Sequence, residues 1–364
     1  MCALDVPLAP PDKQPPDLKV PQAQKKAGYA VVGLGKLALD EVMPAFGRST
    51  RSKAAALVSG HPDKARRVAE AYGVAPASIY DYAGFARLRD DAAVDIVYVI
   101  LPNSLHAEYT IKALEAGKHV LCEKPMAPTS AECERMIAAA KAANRKLMIA
   151  YRLHYEPYNL KVAELCRARA LGRIKTFESS NGQTTKAPNI RLSKTLGGGP
   201  VQDTGIYSIN AGRYITGEEP VAVTAFAHQP KDDPNFREVP ESVSYTLRYP
   251  SGIIGHCDTS FGVSESRRFR VHCADGFIDL DPAFSYRGQR LRVKRGSSEG
   301  ETHDDEIVLK PVDHFAAEMD AFSTAVLDGG DVRTPGEMGL ADVRIIEAIA
   351  EAARTGRAVE VARG

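Results

Sequence analysis

Apolar residues in the first 150 positions form short continuous runs, and segments with helical spacing lie between them. The first run begins at Tyr29, and the later runs cover 54–58, 79–80, 96–101, 119–122 and 146–150. A strand that is apolar on both faces is covered by helices on both sides. The pattern therefore predicts a doubly wound sheet of six parallel strands, the Rossmann arrangement.

After residue 151 the pattern changes to one that is typical of an antiparallel sheet. A helix at about 155–170, a strand at 173–180 and a helix from about 203 come first. Alternating stretches follow near 221–229, 241–249, 252–260, 267–273 and 276–281, and helical spacing returns at 312–328 and 338–354. We predict a C-terminal α/β domain with a large, open, mostly antiparallel sheet. A second subunit could cover its free face, so we expect a homodimer or homotetramer.

These patterns divide the chain into three parts. Residues 1–27 contain six prolines and few large apolar residues, which predicts an extended arm. Residues 28–150 form the predicted nucleotide-binding domain, and 151–364 the predicted substrate-binding and oligomerisation domain. The arm shows no basic segment followed by an apolar one, so we expect a cytoplasmic protein. Removal of an upstream signal would instead place it in the periplasm.

Composition narrows the possible partners. The 364 residues include 47 basic and 46 acidic side chains, so no bulk charge attracts nucleic acid or a membrane surface. Six cysteines are widely spread without a Cys-x-x-Cys pair, which indicates reduced, packed thiols. His256-Cys257 and His272-Cys273 lie in predicted strands, where neighbouring side chains point to opposite faces. We therefore expect no metal site.

The first predicted strand runs into Gly33-Leu34-Gly35-Lys36-Leu37-Ala38, which fits the dinucleotide-binding fingerprint. Gly33 permits the tight turn, Gly35 lets the backbone approach a pyrophosphate, and the following helix N-terminus favours the anion. The second strand ends at Ser59-Gly60 without the acidic residue that would hold a ribose 2′-hydroxyl. Ser59 and Lys64 suit a 2′-phosphate instead, which predicts NADP.

Further polar residues follow the strands of the predicted parallel sheet at their carboxyl ends, where ligands bind in such folds. Asn103 and His106 come after the fourth strand and are expected to reach into the crevice, although each could also cap a helix. Lys124 follows the fifth strand, and Pro125 keeps it extended at the mouth of the sheet.

Three glycines at 197–199 precede a segment with helical spacing that contains Asp203 and Tyr207. Residues four apart share one helix face. A carboxylate and a phenol placed in this way can bind a sugar hydroxyl and move its proton. Alternatively, Asp203 is a helix cap and Tyr207 an ordinary core tyrosine.

Several motifs together resemble the Gfo/Idh/MocA oxidoreductases, most closely their glucose–fructose and aldose oxidoreductase branch. They are Glu-Lys-Pro at 123–125, Tyr-Arg at 151–152, Ile100 to Ala107, Gly-Gly-Gly at 197–199 with Asp203-x-Gly205-Ile-Tyr207, and Pro-Gly-Glu at 335–337. The resemblance implies a catalytic Lys124, often followed by a cis proline. Many members carry histidine where this chain has Tyr207, and the branch with tyrosine favours a phenolic acid/base.

The resemblance also implies an activity and a set of site residues. The expected reaction oxidises an aldose at C1 to the aldonolactone, with tightly bound NADP(H) reoxidised by a second sugar, aldose or ketose. Tyr207 would take the proton, Lys124 would stabilise the oxygen, and Asp203 would orient the sugar or the lysine. Expected cofactor contacts are Gly33, Leu34, Gly35, Lys36, Leu37, Ser59, Lys64, Tyr82, Leu101, Pro102, Asn103, His106, Glu123, Lys124, Arg152, Arg191 and Tyr286.

Two other functions stay open from the sequence. One is an NADP-dependent aldose or dihydrodiol dehydrogenase that exchanges its cofactor in every turnover. The other is a non-catalytic sugar or nucleotide sensor, which the joint presence of Lys124, Asp203 and Tyr207 disfavours. In the branch that the chain resembles, an arm like residues 1–27 covers the adenine of the cofactor, sometimes across subunits.

Overall fold

A computed structural model describes residues 25–296 and 302–362. Its first sheet has six strands in the order β3-β2-β1-β4-β5-β6, and every neighbouring pair is parallel. The strands are β1 Ala27–Val32, β2 Ser52–Val58, β3 Ile79–Tyr80, β4 Ile96–Val99, β5 His119–Glu123 and β6 Leu147–Ala150. Five of the six are buried along most of their length. The predicted doubly wound parallel sheet is confirmed.

Four α-helices connect these strands: α1 Met43–Phe46, α2 Pro62–Tyr72, α3 His106–Glu115 and α4 Ser130–Ala142. Local sequence sets several of their ends. Proline occupies the first position of α2, and Gly73 ends that helix with a φ of 68°. The side chain of Thr129 caps α4 by accepting a hydrogen bond from the Glu132 amide.

The second sheet has nine strands in the order β14-β13-β12-β11-β7-β10-β9-β8-β15. They are β7 Ile174–Gln183, β8 Ala222–His228, β9 Ser242–Arg248, β10 Ile254–Ser260, β11 Glu265–Cys273, β12 Gly276–Leu280, β13 Leu291–Gly296, β14 Thr302–Ile307 and β15 Val359–Glu360. The helices of this part are α5 Pro157–Arg167, α6 Ile206–Thr216, α7 His314–Leu327 and α8 Gly336–Thr355. β7 and β10 are parallel and the other pairs antiparallel, so the mostly antiparallel sheet is confirmed.

Sequence reasoning missed β13, β14 and β15. β13 and β14 form a hairpin at the sheet edge, and β14 is almost wholly exposed. Arg292 pairs with Asp304 across this hairpin, and Arg290 pairs with Glu306 beside it. Charged pairs here replace the apolar alternation that would reveal a strand. β15 has only two residues, too few for any periodic signal.

The C-terminal helix α7 packs on the first sheet. Phe315, Met319 and Phe322 share one buried cluster with residues of β1 and β2, among them Tyr29 and Leu57. The core of the nucleotide-binding region is therefore completed by chain that lies beyond residue 300.

Most of the predicted arm, residues 1–24 of 1–27, lies outside the described residues. Among the helices that the structure does describe, none has the length and apolar character needed to span a membrane.

Candidate active site

The loop after β1 has the geometry of a dinucleotide cradle. Gly33 adopts a φ of 95°, and a Cβ there would lie 2.2 Å from the carbonyl oxygen of Ile100. Gly35 is exposed, and no protein atom lies within 4 Å of the position where its Cβ would be. The chain becomes helical at Lys36 and continues through a π-helical turn, Ala38–Val42. Leu34 is buried, whereas Lys36 is exposed and pairs with Asp40.

Two side chains expected at a ribose phosphate lie at the rim of this loop. Ser59 is buried at the end of β2, and its hydroxyl accepts a hydrogen bond from the amide of His61 at 3.1 Å. Lys64 Nζ donates to the carbonyl oxygen of Leu34 at 3.2 Å. The ring of Tyr82 lies 3.4 Å from the position of a Cβ on Gly60. A cation, a hydroxyl and an aromatic ring therefore border the cradle, a donor set that fits a phosphorylated nucleotide.

Asn103 connects the first sheet to the glycine-rich loop. Its Nδ2 donates to the carbonyl oxygen of Gly197 at 2.8 Å. Gly197 has a φ of 77°, and a Cβ there would approach Asn103 Cβ to 2.8 Å. A side chain at position 197 would therefore separate the two loops.

His106 does not reach into the crevice as the sequence had suggested. Its ring is fully buried, with Nδ1 2.8 Å from the carbonyl oxygen of Pro125 and Nε2 2.9 Å from that of Leu101. Both ring nitrogens are thus engaged with backbone. His106 holds the loop after β4 against the loop that carries Lys124.

Lys124, Asp203 and Tyr207 meet at the carboxyl edge of the parallel sheet. The Lys124–Pro125 peptide is cis, and Lys124 Nζ donates to the backbone carbonyl of Asp203 at 2.8 Å. The same nitrogen lies 3.7 Å from Asp203 Oδ1 and 4.6 Å from the centre of the Tyr207 ring. Asp203 belongs to a π-helical turn, Val201–Gly205, that precedes α6 and Tyr207. It is an ion-pair partner of Lys124 rather than a simple helix cap.

Arg191 completes the charge balance around Asp203. Its Nε donates to Asp203 Oδ2 at 2.7 Å. Burial opposes ionisation of Asp203, but the charges of Lys124 and Arg191 hold the pKa of this carboxyl below its usual value. Asp203 is consequently a carboxylate that fixes Lys124 and Arg191.

Arg152 supplies a second positive charge at Tyr207. The residue is 4 % exposed, and its guanidinium carbon lies 5.1 Å from the Tyr207 ring centre and 4.6 Å from that of Tyr286. Its Nη2 donates to the Phe284 carbonyl at 2.6 Å, and its Nη1 contacts His314 Nδ1 at 3.1 Å. Planar arginine suits such a stacked, hydrogen-bonded position.

Several groups near the site were not singled out by the sequence. Phe284 packs on Tyr207 with ring centres 5.9 Å apart, and His314 and Glu318 lie on α7 close to Arg152. No local motif marks these three residues, because they reach the site only through long-range packing. His154, which the sequence offers as a further acid/base candidate, bonds Asn210 through Nε2 at 2.8 Å, and burial lowers the pKa of His154 to about 4.

The N-terminal and C-terminal parts of the chain both match one family of known proteins. Residues 27–151 match the model of an oxidoreductase family with an NAD-binding Rossmann fold, and 159–279 match the GFO/IDH/MocA C-terminal domain. D-xylose 1-dehydrogenase (NADP+) 2 of Haloferax volcanii is 31% identical over 335 residues, which cover 92% of this chain and 99% of that protein. This chain belongs to the Gfo/Idh/MocA oxidoreductase family.

Solved structures of this family share the fold. The aldose-aldose oxidoreductase from Caulobacter crescentus, complexed with glycerol, is 44% identical with a TM-score of 0.88, covering 92% of this chain and 100% of that one. KijD10, a 3-ketoreductase from Actinomadura kijaniata in complex with NADP and TDP-benzene, is 26% identical with a TM-score of 0.80. That match covers 90% of this chain and 98% of KijD10. The relatives include sugar oxidoreductases, and the chain spans nearly their full length.

Proposed function

We propose that this protein is an NADP-dependent aldose oxidoreductase that oxidises the sugar at C1 to the aldonolactone. The observation that carries the proposal is the convergence of Lys124, Asp203 and Tyr207 beside the dinucleotide cradle. The 44% identity to an aldose-aldose oxidoreductase and the 31% identity to an NADP-dependent xylose dehydrogenase support the substrate class and the cofactor.

In this proposal Tyr207 is the acid/base. The Tyr207 phenolate would take the proton of the anomeric hydroxyl and become the neutral phenol, and bound NADP would supply the hydride acceptor. The charges of Lys124, 4.6 Å from the ring centre, and Arg152, 5.1 Å from it, stabilise the phenolate that acts as the base. In the reverse direction the same hydroxyl protonates the sugar oxygen.

Asp203 positions the cations rather than taking the proton itself. Its carboxylate already pairs with Arg191 and lies beside Lys124, and both charges favour its ionised form. The Lys124 ammonium is further fixed by the Asp203 carbonyl. A fixed ammonium can hold a sugar oxygen without rearranging during the reaction.

The cofactor contacts proposed for this site follow the geometry of the cradle. Gly33, Gly35 and the following helical turn would hold the pyrophosphate, and Ser59 with Lys64 would hold the 2′-phosphate. Tyr82 would pack near the adenine, and Glu123, Arg191 and Tyr286 would border the nicotinamide end.

We further propose that NADP(H) stays bound between turnovers and that a second sugar takes back the hydride. The similarity to the Caulobacter crescentus enzyme supports this two-sugar cycle.

The competing function is a dehydrogenase that releases its cofactor in every turnover, and the similarity to xylose 1-dehydrogenase favours it. Denaturing the purified protein and assaying the supernatant for nucleotide separates the two. We expect about one NADP(H) per chain, and turnover of paired sugars without added nucleotide. A nucleotide-free protein that turns over only with added NADP would favour the dehydrogenase. Absence of turnover with every sugar and nucleotide tested would favour a sensor.

We propose, in addition, that two copies associate through the open face of the nine-stranded sheet. Helices α6 and α8 lie on its other face, against β7 and β8. The free face carries a groove of about 370 Å³ lined mainly by polar side chains, and Phe226, which is 77% exposed, is one of the lining residues. Aromatic residues are enriched in subunit interfaces relative to the rest of a protein surface.

A further inference from the structure

Two buried glutamates in this protein have opposite surroundings. Glu156 accepts three hydrogen bonds, from the amides of Tyr158 and Asn159 and from Asn159 Nδ2. Glu318 is 0% exposed, and neither of its carboxyl oxygens has a hydrogen-bond partner among the described residues. A carboxylate is stable in the interior only when donors or cations compensate it, and Glu318 has no hydrogen-bond donor of this kind among the described residues.

Glu318 is linked to the proposed active site through its helix, α7. It is four residues after His314 on α7, so both side chains share one helix face, and His314 contacts Arg152 at 3.1 Å. The next residue, Met319, accepts a hydrogen bond from the Tyr29 hydroxyl at 2.9 Å. The titratable groups that face Glu318 from the packed elements are Tyr29, Tyr98, Glu123, Arg152 and Tyr155, with His314 on its own helix.

Glu123 and Glu318 depend on the same nearby donors and positive charge to stabilise a buried carboxylate. Glu123 accepts hydrogen bonds from the Tyr98 hydroxyl at 2.8 Å and from the Lys124 amide at 3.2 Å. Glu318 receives none. Burial, and then the charge of Glu123, raise the pKa of Glu318 well above its usual value, with Arg152 acting in the opposite sense. Two neighbouring carboxyl groups that share little solvent rarely both ionise.

The protonation state of Glu318 determines where the charge of Arg152 acts. Arg152 is stacked on Tyr207, and its buried Nε has no hydrogen-bond partner among the described residues. An ionised Glu318 would oppose the positive charge of this guanidinium. A neutral acid presents only its carbonyl dipole and leaves the positive charge directed at the phenol.

We propose that Glu318 remains a neutral carboxylic acid and so leaves the charge of Arg152 available to Tyr207. Its catalytic consequence rests on the proposed function of Tyr207, whereas its protonation state does not.

Infrared spectroscopy tests the protonation state without any turnover. We expect the as-purified protein near neutral pH to show the carbonyl band of a protonated carboxylic acid, and E318Q to lose it. E156Q is the matched control, because it removes a buried glutamate with three donors, and it should leave the band in place. A wild-type protein without that band, or a band that persists in E318Q, overturns the proposal.

Kinetics then test the catalytic consequence. With a turned-over sugar, E318Q should keep the rate of nucleotide reduction within about threefold and keep its pH profile, because an amide imitates a neutral acid. E318L should fold with an equal or higher Tm and should also keep its rate and pH profile, because an uncharged leucine leaves the charge of Arg152 unopposed as well. A pH profile of E318Q or E318L displaced towards lower pH would show that Glu318 is ionised and would overturn the proposal.

These outcomes separate the two proposals. The protein could show an acid band that depends on Glu318 and yet turn over no sugar. That result would contradict the proposed function and would still establish that Glu318 is protonated. Should E318L fail to fold, the rate and pH profile of E318Q still decide the role of the carboxyl group.

Discussion

At the scale of single residues, the proposed role of Tyr207 depends on the groups around it. Lys124 and Arg152 both lie against its ring, and Phe284 packs beside it. Tyr214, whose hydroxyl donates to Asn159 at 2.7 Å, has no cation stacked on its ring among the described residues. The contrast provides a matched pair for mutagenesis.

Tyr207→Phe should keep the fold and the bound nucleotide, because only a hydroxyl is removed. Turnover should fall by about 10²–10⁴-fold, the usual effect of a positioned proton-transfer group. Tyr214→Phe, the control, should lower Tm slightly and leave kcat nearly unchanged. Measuring kcat and Tm on the same preparations compares the two. A near-normal kcat in Tyr207→Phe would remove this residue from the mechanism.

Lys124→Ala should reduce kcat by an amount comparable to Tyr207→Phe. The double variant should cost much less than the product of the single effects, because lysine and phenol act as one unit. Multiplicative effects in a double-mutant cycle would contradict that coupling.

Substitution of Lys64 tests whether the protein prefers NADP over NAD. Its Nζ reaches the Leu34 carbonyl at the rim of the cradle, so Lys64→Glu should place a negative charge beside a bound 2′-phosphate. NADP affinity should fall by at least about tenfold, and the preference over NAD should narrow. Arg66→Glu makes the same charge change on an exposed residue that pairs with Asp63, and should have little effect. Tighter binding of NAD than NADP by the natural protein would refute the assignment.

At the scale of elements, Asp320 is one of the residues that hold α7 against the first sheet. Asp320 accepts hydrogen bonds from the amides of Thr50 and Arg51, at 2.7 and 2.9 Å, and from the Ser52 hydroxyl at 2.9 Å. Burial opposes its ionisation, but hydrogen bonds from Ser49, Thr50 and Arg51 hold the pKa of Asp320 below its usual value. The same helix carries His314 and Glu318 to the active site.

Asp320→Ala should lower the free energy of unfolding by about 2 kcal/mol, since several bonds to one charged group are lost. The folded-state pKa is depressed, so this contribution is present above the unfolded pKa of about 3.9 and is lost as pH falls through the folded value. Urea unfolding at neutral and acidic pH should show the wild-type and variant curves converging at low pH. Asp328→Ala, which removes a more exposed partner of Arg51, should change little. A difference that stays constant with pH would contradict the argument.

At the scale of the whole molecule, the open sheet face predicts an oligomer. Phe226→Asp should dissociate the protein, because a charge would be buried in the proposed interface. Val308→Asp is the control: this valine is 82% exposed and lies outside the groove. Sedimentation or light scattering measures the mass of each. A wild-type monomer, or an unchanged oligomer in Phe226→Asp, would refute the interface.

The proline-rich arm adds a prediction that lies outside the described residues. Six prolines restrict the free arm and so lower the entropy lost when it orders on a surface. Deleting residues 1–24 should speed the loss of bound NADP and leave Tm of the domain nearly unchanged. An unchanged rate of nucleotide release would show that the arm does not cover the cofactor.

The sequence by itself determined those features that depend on local periodicity and local chemistry. Alternation of strands and helices predicted the parallel sheet, because side-chain spacing follows directly from backbone geometry. Gly33 and Gly35 predicted the cradle, since few other residues allow its turn. The spacing of Asp203 and Tyr207 predicted that they lie near one another, and Lys124, at the end of β5, contacts both of them.

Only the tertiary structure decided which of these residues act on one another. Lys124 and Asp203 are 79 positions apart and meet because the π-helical turn before α6 packs against the end of β5. His106 was expected in the crevice, but packing buried its ring between two carbonyl groups. Glu318 lies close to Arg152 although its helix, α7, begins beyond residue 300. Such encounters are set by the packing of distant elements, and a local pattern carries no record of which buried carboxyl group finds a donor.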